Sequence, residues 1–114
     1  VTWMAKSKYE EEFILFSIIA EQKPVGIISY SLDEDDGEYW IVAFMIDQRY
    51  QRRGYGREAI ESLVIYLIEK YGCKKIMVGH RPENLEAENF YTALGFKDTG
   101  ERFKGEIVRC LILQ

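Results

Sequence analysis

A chain of 114 residues is long enough for one hydrophobic core and too short for two, so we expect a single domain over residues 1–114. Its 47% hydrophobic and 30% charged residues exclude a disordered chain, and no apolar run approaches the roughly 20 residues that span a membrane. A net charge of −4 argues against general nucleic-acid binding and is compatible with a cationic substrate.

The two cysteines, Cys73 and Cys110, have neither a CxxC motif nor a metal-ligand spacing. We therefore expect two free thiols, no bound metal and a cytoplasmic location, where thiols stay reduced. The N-terminus shows no export signal. It begins with Val1 in place of an initiator methionine, which indicates a processed chain or a fragment.

The first third of the chain predicts a β-hairpin. Residues 2–12 have a mixed pattern, for which we expect a loop or the end of a helix. Phe13 to Ala20 and Val25 to Leu32 have the composition of strands, joined by a turn at residues 21–24. Residues 33–37 form an acidic loop, which either is a solvated turn or guides a cation toward a site.

A strand, a helix and a second strand are predicted next. Tyr39 to Ile46 is apolar at every position, which predicts a central strand covered on both faces. Arg57 to Tyr71 has apolar residues at helical spacing, and Gly72 stands where a left-handed residue ends a helix. Lys75 to Gly79 predicts a strand. At these lengths the two strands should be parallel neighbours with a right-handed crossover.

The C-terminal part predicts a second helix and a second hairpin. Asn84 is a candidate N-cap for this helix, and Gly95 follows its end. Strands are predicted at Lys97 to Arg102 and at Glu106 to Leu113, around a turn at residues 104–105. The elements together predict an α/β fold with a mixed, mostly antiparallel sheet and flanking helices.

The basic glycine turn at residues 51–56 lies between the apolar strand and the first helix. Free N–H groups and the macrodipole at a helix start favour an anion, and glycines let phosphate approach the backbone. The Walker pattern is absent. Residues 54–59 match the dinucleotide pattern GxGxxA, but seven residues separate Ile46 from the first glycine. His80 and Arg81 also stand where that motif requires an acidic residue.

Two blocks resemble the GNAT superfamily of acyl-CoA-dependent N-acetyltransferases. Gln51-x-x-Gly54-x-Gly56 is similar to its [Q/R]xxGx[G/A] turn, and residues 84–96 are similar to its NxxAxxFYxxxGF segment. The resemblance implies acetyl-CoA as co-substrate and direct attack by a primary amine in a ternary complex. It also implies a parallel strand pair that splays at a bulge. The family's first strand and helix have no recognisable counterpart before Phe13, so we expect both to be absent.

The resemblance also assigns roles around the splay. The backbone of Phe44, Met45 and Ile46 is expected to bond the pantetheine arm, and the Met45 N–H is assigned as oxyanion-hole donor. The turn expected to wrap the pyrophosphate, mainly through main-chain N–H groups, consists of Gln51, Arg52, Arg53, Gly54, Tyr55, Gly56 and Arg57. The second helix adds the expected cofactor-binding residues Asn84, Ala87, Asn89 and Tyr91.

Tyr91 is the expected general acid. A tyrosine on an amphipathic helix is often a core residue, but the family block assigns its phenol to protonate the leaving thiolate. The pairing is chemically sensible because a thiol has a pKa of ~8.5 and a phenol one of ~10. The acceptor ammonium, with a pKa of ~10.4, must lose a proton before attack. Glu38, Asp47 and His80 are candidate bases, of which we favour Glu38.

Within the superfamily the chain is most similar to the small bacterial spermidine/spermine (diamine) acetyltransferases. The similarity lies at Tyr39-Trp40 and at residues 44–47, 89–91 and 103–106. A polyamine acceptor suits the acidic loop and the net charge of −4. Val42 stands where the animal polyamine enzymes have their proposed carboxylate base.

Other functions stay open at this point. The acceptor could instead be a protein N-terminus, a lysine side chain or an aminoglycoside, and the chain could be a non-catalytic acyl-CoA-binding module. The resemblance also implies a homodimer, for which an exposed edge strand near the C-terminus is the expected contact.

Overall fold

Seven strands form one mixed sheet in the order β1-β2-β3-β4-β5-β7-β6, with two helices packed against it. The computed structural model describes residues 2–10 and 13–113, with side chains from residue 14 onward. The strands are β1 (Thr2–Glu10), β2 (Phe13–Ala20), β3 (Lys23–Leu32), β4 (Tyr39–Ile46), β5 (Lys75–His80), β6 (Lys97–Phe103) and β7 (Glu106–Ile112). The helices are α1 (Tyr55–Tyr71) and α2 (Leu85–Ala93).

The N-terminal segment is a strand, which corrects two expectations. β1 pairs antiparallel with β2 along almost its whole length, with Thr2 opposite Ala20 and Lys8 opposite Ile14. The prediction of a loop or helix end over residues 2–12 is therefore wrong for residues 2–10, and residues 11 and 12 lie outside the described residues. The expected absence of a first strand is also wrong. In the described residues β1 is an edge strand that pairs with β2 alone, and its mixed sequence carries no strong strand pattern.

A two-residue turn joins β2 to β3. Glu21 and Gln22 have φ angles of 53° and 63°, the conformation of a type I′ turn, whose twist matches that of the flanking strands. β3 therefore begins at Lys23, two residues earlier than predicted, and includes Pro24 opposite Ile19. The predicted four-residue turn was too long because Pro24 was assigned to it.

β4 and β5 are parallel, as predicted, but they pair over three residues only. Their register runs from Tyr39 opposite Ile76 to Ile41 opposite Val78. On the other side of β4, Ser29 of β3 lies opposite Ala43, and the next residue of β3, Tyr30, lies opposite Ile41. Val42 has no partner in this register and is therefore the extra residue of a β-bulge. Beyond this bulge β4 stays paired with β3 and diverges from β5, which leaves a gap between β4 and β5.

The predicted burial of β4 on both faces is wrong. Ile41 is buried, but the side chains of Val42 and Met45 are 55% and 58% exposed. In the half of the strand that borders the cleft, Phe44 packs against Phe90 of α2, whereas Val42 and Met45 stay exposed, so the helices cover one face of this half and not the other.

The helices agree with their sequence signals. α1 begins at Tyr55, two residues earlier than predicted, and ends at Gly72, which has a φ of 64° and donates its N–H to Ile68. α2 begins after Asn84, whose side-chain oxygen accepts the N–H of Ala87 as a capping residue does. The face of α1 that packs on the sheet consists of Ala59, Ile60, Leu63 and Leu67.

Both cysteines are free thiols, as expected. Among the described residues, neither helix is long and apolar enough to cross a membrane.

We expect Gln22→Gly to stabilise the protein by about 0.5 to 1 kcal/mol, because glycine adopts the left-handed conformation of this turn without steric cost. Thermal or urea denaturation measures the change. Gln48→Gly is the matched control: Gln48 lies in the 3-10 turn at residues 48–50 and is not among the positive-φ residues, so glycine should destabilise there. Equal effects of the two substitutions would contradict the assignment of the turn.

Candidate functional site

A cleft of about 780 Å³ opens where β4 and β5 diverge. One wall is the free half of β4, and the others are the glycine turn with the start of α1, the end of β5 and the inner face of α2. All the predicted cofactor residues line this cleft except Arg53 and Asn89. Among the lining residues that sequence reasoning missed are Tyr50, Gly79, Arg81, Phe90 and Glu106.

The glycine turn presents unpaired N–H groups to the cleft. The first backbone bond of α1 runs from the N–H of Glu58 to the carbonyl of Gly54, at 3.1 Å. The preceding N–H groups, of Tyr55, Gly56 and Arg57, find no acceptor among the described residues. Three such donors at the start of a 17-residue helix favour an anion such as a pyrophosphate.

Two residues of the turn have left-handed backbone. Arg52 has a φ of 66° and Gly54 one of 83°. A non-glycine residue in this region is under strain of order 1–3 kcal/mol, and such strain concentrates at functional sites. The side chain of Gln51 holds the turn in place, because its Nε2 donates to the carbonyl oxygen of Ile46 at 2.9 Å.

Gly56 permits a close aromatic contact at the base of the cleft. A Cβ at this position would lie 3.3 Å from Phe44 and 3.4 Å from Phe90. Those two rings stack with centroids 5.6 Å apart. The second glycine of the motif is therefore explained by side-chain packing as well as by phosphate access.

Arg53 points to a different partner. Its Nη1 donates to Glu21 at 2.8 Å, and Glu21 also accepts a short hydrogen bond from the Tyr55 hydroxyl. The hydroxyl of Tyr55 and the guanidinium of Arg53 lower the pKa of the Glu21 carboxyl. Arg53 thus ties the start of α1 to the β2–β3 turn, while Arg52 and Arg57 line the cleft.

Tyr91 lies on α2 with its ring in the core and reaches the cleft lining. Its side chain is 7% exposed, and the rings of Phe90, Phe96 and His80 surround it. Burial raises the pKa of Tyr91 to about 12. The phenol therefore stays protonated throughout the physiological pH range and can act as a proton donor. Asn84 and Ala87 line the same cleft, whereas Asn89 is exposed outside it.

The buried His80 is held between two partners. Its Nε2 accepts from Nε of Arg109 at 2.8 Å, and its Nδ1 lies 2.9 Å from the carbonyl oxygen of Arg81. Because a guanidinium can only donate, the ring proton must be on Nδ1. Nε2 therefore has no free lone pair with which to accept a proton from an amine, although His80 lines the cleft.

The other two candidate bases lie away from the cleft. Glu38 forms an ion pair with Lys75, with 3.0 Å between Oε2 and Nζ. Asp47 caps the 3-10 turn and accepts two hydrogen bonds from the Arg49 side chain. Neither of these carboxylates lines the cleft.

A second, wider cleft of about 1430 Å³ adjoins the first on the other side of the β4–β5 junction. Its wall includes the acidic loop at residues 33–36, together with Tyr39, Trp40 and Phe103. Within the loop, Asp36 accepts from the Trp40 indole at 2.9 Å. Carboxylates and aromatic faces are the groups that attract ammonium ions.

Comparison with known proteins agrees with this geometry. Residues 2–96 match the Acetyltransferase (GNAT) family, which is more than half of the chain. The chain belongs to this family. The α/β GNAT fold predicted from the two sequence blocks is therefore confirmed.

Relatives of known name provide further context. Spermine/spermidine N(1)-acetyltransferase of Bacillus subtilis strain 168 is 38% identical to this GNAT chain over 91 residues, which are 74% of the chain and 60% of the relative. A probable spermine N(1)-acetyltransferase of B. subtilis subsp. natto is 37% identical over the same share. The chain thus spans about three fifths of the length of these relatives.

Solved structures share the fold. A putative streptothricin acetyltransferase from Bacillus anthracis, in complex with acetyl coenzyme A, superposes with a TM-score of 0.78 at 20% identity. It covers 92% of this chain, which covers 65% of that protein.

Gly54→Ala should weaken acetyl-CoA binding about tenfold, which corresponds to about 1.4 kcal/mol, because it disturbs the left-handed turn that carries the N–H donors. Calorimetric titration with acetyl-CoA measures the change. Gly72→Ala is the matched control, since Gly72 also has a positive φ, has open space where a Cβ would lie and is at the opposite end of α1. Both variants should lose similar stability; unchanged affinity in Gly54→Ala would exclude the turn as the pyrophosphate site.

Proposed function

We propose that the protein transfers the acetyl group of acetyl-CoA to a primary amine of a polyamine or other small amine, by direct attack in a ternary complex. The observation that carries this proposal is the divergence of β4 from β5 directly beside a helix start with unpaired N–H groups. An extended thioester cofactor fits this arrangement, because its arm can bond to a free strand edge while its pyrophosphate meets the helix start.

The free edge of β4 binds the pantetheine arm in this proposal. Beyond Ile41 the strand pairs with β3 only, so its opposite edge offers the backbone groups of Phe44 and Ile46 to the cleft. Met45 was expected among them, but its N–H and C=O face β3, because it is paired with Ile27 and Asp47, two residues along, donates its N–H to Val25. The N–H of Phe44, in place of that of Met45, is therefore proposed to bind the thioester oxygen. A preorganised donor at a developing oxyanion contributes roughly 3 to 4 kcal/mol to transition-state stabilisation.

Tyr91 is proposed to protonate the departing thiolate. Its pKa of about 12 lies above the ~8.5 of a thiol, so the phenol enters the reaction protonated and regains its proton from solvent afterwards. Proton donation of this kind contributes a factor of roughly 10² to 10⁴ in rate.

Three observations support a polyamine as the acceptor. The second cleft has an acidic and aromatic wall, the net charge is −4, and the curated relatives at 37–38% identity are named for spermine and spermidine. Several ammonium groups on one flexible chain match several carboxylates spread along a groove better than a single amine does.

The homodimer stays a prediction. β6 is the last strand of the sheet in the described residues, every one of its residues is exposed, and Phe103 is 59% exposed. An unpaired edge of this kind is suitable for contact with a second copy.

A thiol-release assay with acetyl-CoA tests the activity. We expect turnover with spermidine and spermine, and little with a lysine peptide, an N-terminal peptide or an aminoglycoside. Turnover restricted to one of the latter acceptors would contradict the polyamine assignment. Acetyl-CoA binding without turnover on any amine would show a non-catalytic binding module.

Tyr91→Phe should lower kcat by about 10² with little change in acetyl-CoA affinity, because it removes the proton donor and keeps the ring in its aromatic contacts. Steady-state kinetics and calorimetry separate the two quantities. Tyr50→Phe, which removes another hydroxyl from the lining of the cleft, is the control. If both variants keep full turnover, Tyr91 is not the general acid.

A further inference from the structure

Glu106 stands at the junction of the two clefts. Among the described residues, four line both the cofactor cleft and the acidic cleft: Ile41, Val42, Gly79 and Glu106. Three of them have aliphatic side chains or none, so Glu106 is the ionisable group at the passage between the clefts. Its side chain is half-buried.

The absence of a side chain on Gly79 leaves room for this carboxylate. A Cβ on Gly79 would lie 2.6 Å from Oε1 of Glu106. Gly79 directly follows Val78, which forms the last residue pair between β4 and β5, with Ile41. The Glu106 carboxylate, although it belongs to β7, therefore lies over the point where the two parallel strands diverge.

The Glu106 carboxylate also has no partner among the described residues. Its side chain forms no ion pair or hydrogen bond with the side chains and backbone that the structure describes. The three candidate bases from the sequence are engaged. Glu38, the favoured one, is paired with Lys75, Asp47 with Arg49, and His80 with Arg109. Glu106 thus has both the position and the free oxygens that these residues lack.

Other ionisable groups surround this position. His80 on β5 and Tyr91 on α2 line the cofactor cleft, and Glu101 and Arg102 on β6 line the acidic cleft together with the loop at residues 33–36. Arg102 is bound to Asp98 at 3.0 Å, so its charge already has a partner. The environment of Glu106 toward the acidic cleft is therefore dominated by carboxylates, which attract a polycation.

On the basis of the proposed acetyl transfer, we propose that Glu106 binds the reacting ammonium group of the acceptor and accepts its proton. The ammonium loses one proton to Glu106, which passes it to solvent. The free nitrogen lone pair then attacks the thioester carbonyl carbon. Collapse of the tetrahedral intermediate breaks the C–S bond, and the second nitrogen proton is released as the thiolate takes a proton from Tyr91. The products are the N-acetyl amine, free CoA and one proton.

Glu106→Gln tests this role, with Glu69→Gln as the matched control, since Glu69 is an exposed carboxylate on α1 that lines neither cleft. At pH 7 we expect kcat/KM for spermidine to fall about 100-fold in Glu106→Gln and less than threefold in Glu69→Gln. Acetyl-CoA affinity, measured by calorimetry, should change in neither. Equal activity of the two variants would overturn the proposal.

The pH dependence separates proton transfer from a structural role. An amine that is already neutral needs no base, so the defect of Glu106→Gln should shrink as the pH rises toward the amine pKa of ~10.4. It should likewise be smaller for an acceptor amine with a pKa near 7. A defect that is the same at every pH and for every amine would assign Glu106 to positioning alone and overturn its role as proton acceptor.

Gly79→Ala is a second test, which keeps Glu106 itself and changes only the position of its carboxylate. Its methyl group would displace Oε1 of Glu106, so kcat/KM should fall at least tenfold with the same pH dependence. Unchanged activity in Gly79→Ala would contradict the proposed position of the carboxylate. If the unmodified protein acetylates no amine at all, the proposed function fails first. If it does acetylate an amine and Glu106→Gln is as active as Glu69→Gln, only the role of Glu106 fails.

Discussion

The one extra residue at Val42 determines the shape of the site. The bulge lets β4 keep its pairing with β3 while its pairing with β5 ends at Ile41. A strand in the middle of a sheet thereby gains a free backbone edge, which soluble proteins normally restrict to the outer strands. The cleft, its apolar lining and the position of the helix starts all depend on this divergence.

In the parts of the protein next to the cleft, several charged side chains are bound to one another. Arg53 holds Glu21, Arg109 holds His80, and Lys75 holds Glu38. These pairs position the walls and leave few groups free for chemistry. In the lining of the cleft, the groups without a partner among the described residues include the N–H groups at the start of α1 and the side chains of Arg52, Glu86 and Glu106, and the phenol of Tyr91 also reaches this lining. In the proposed function, this division places an anionic cofactor and a cationic acceptor on opposite sides of one junction.

Much of the architecture was readable from local signals. The caps at Asn84 and Gly72, the helix periodicity and the glycine turn each depend on residues near in sequence, and the structure has them as predicted. Residues 2–10 were misread because a strand at a sheet edge has no strong pattern of its own and exists through its partner β2. The burial of β4 was misread because an apolar run does not distinguish a covered strand from one that borders a cleft.

The sequence by itself determined the family, and it predicted the phosphate-binding turn and the role of Tyr91, because these are encoded in short blocks of adjacent residues. Only the tertiary structure decided which ionisable groups are free. Glu106 follows Gly79 by more than two dozen residues, and no spacing rule connects them; the antiparallel pairing of β5 with β7 brings them together. The same pairing brings Arg109 to His80 and occupies one of the three candidate bases named from the sequence. Which groups form hydrogen bonds depends on how distant segments pack together, and no single segment of the sequence determines that packing.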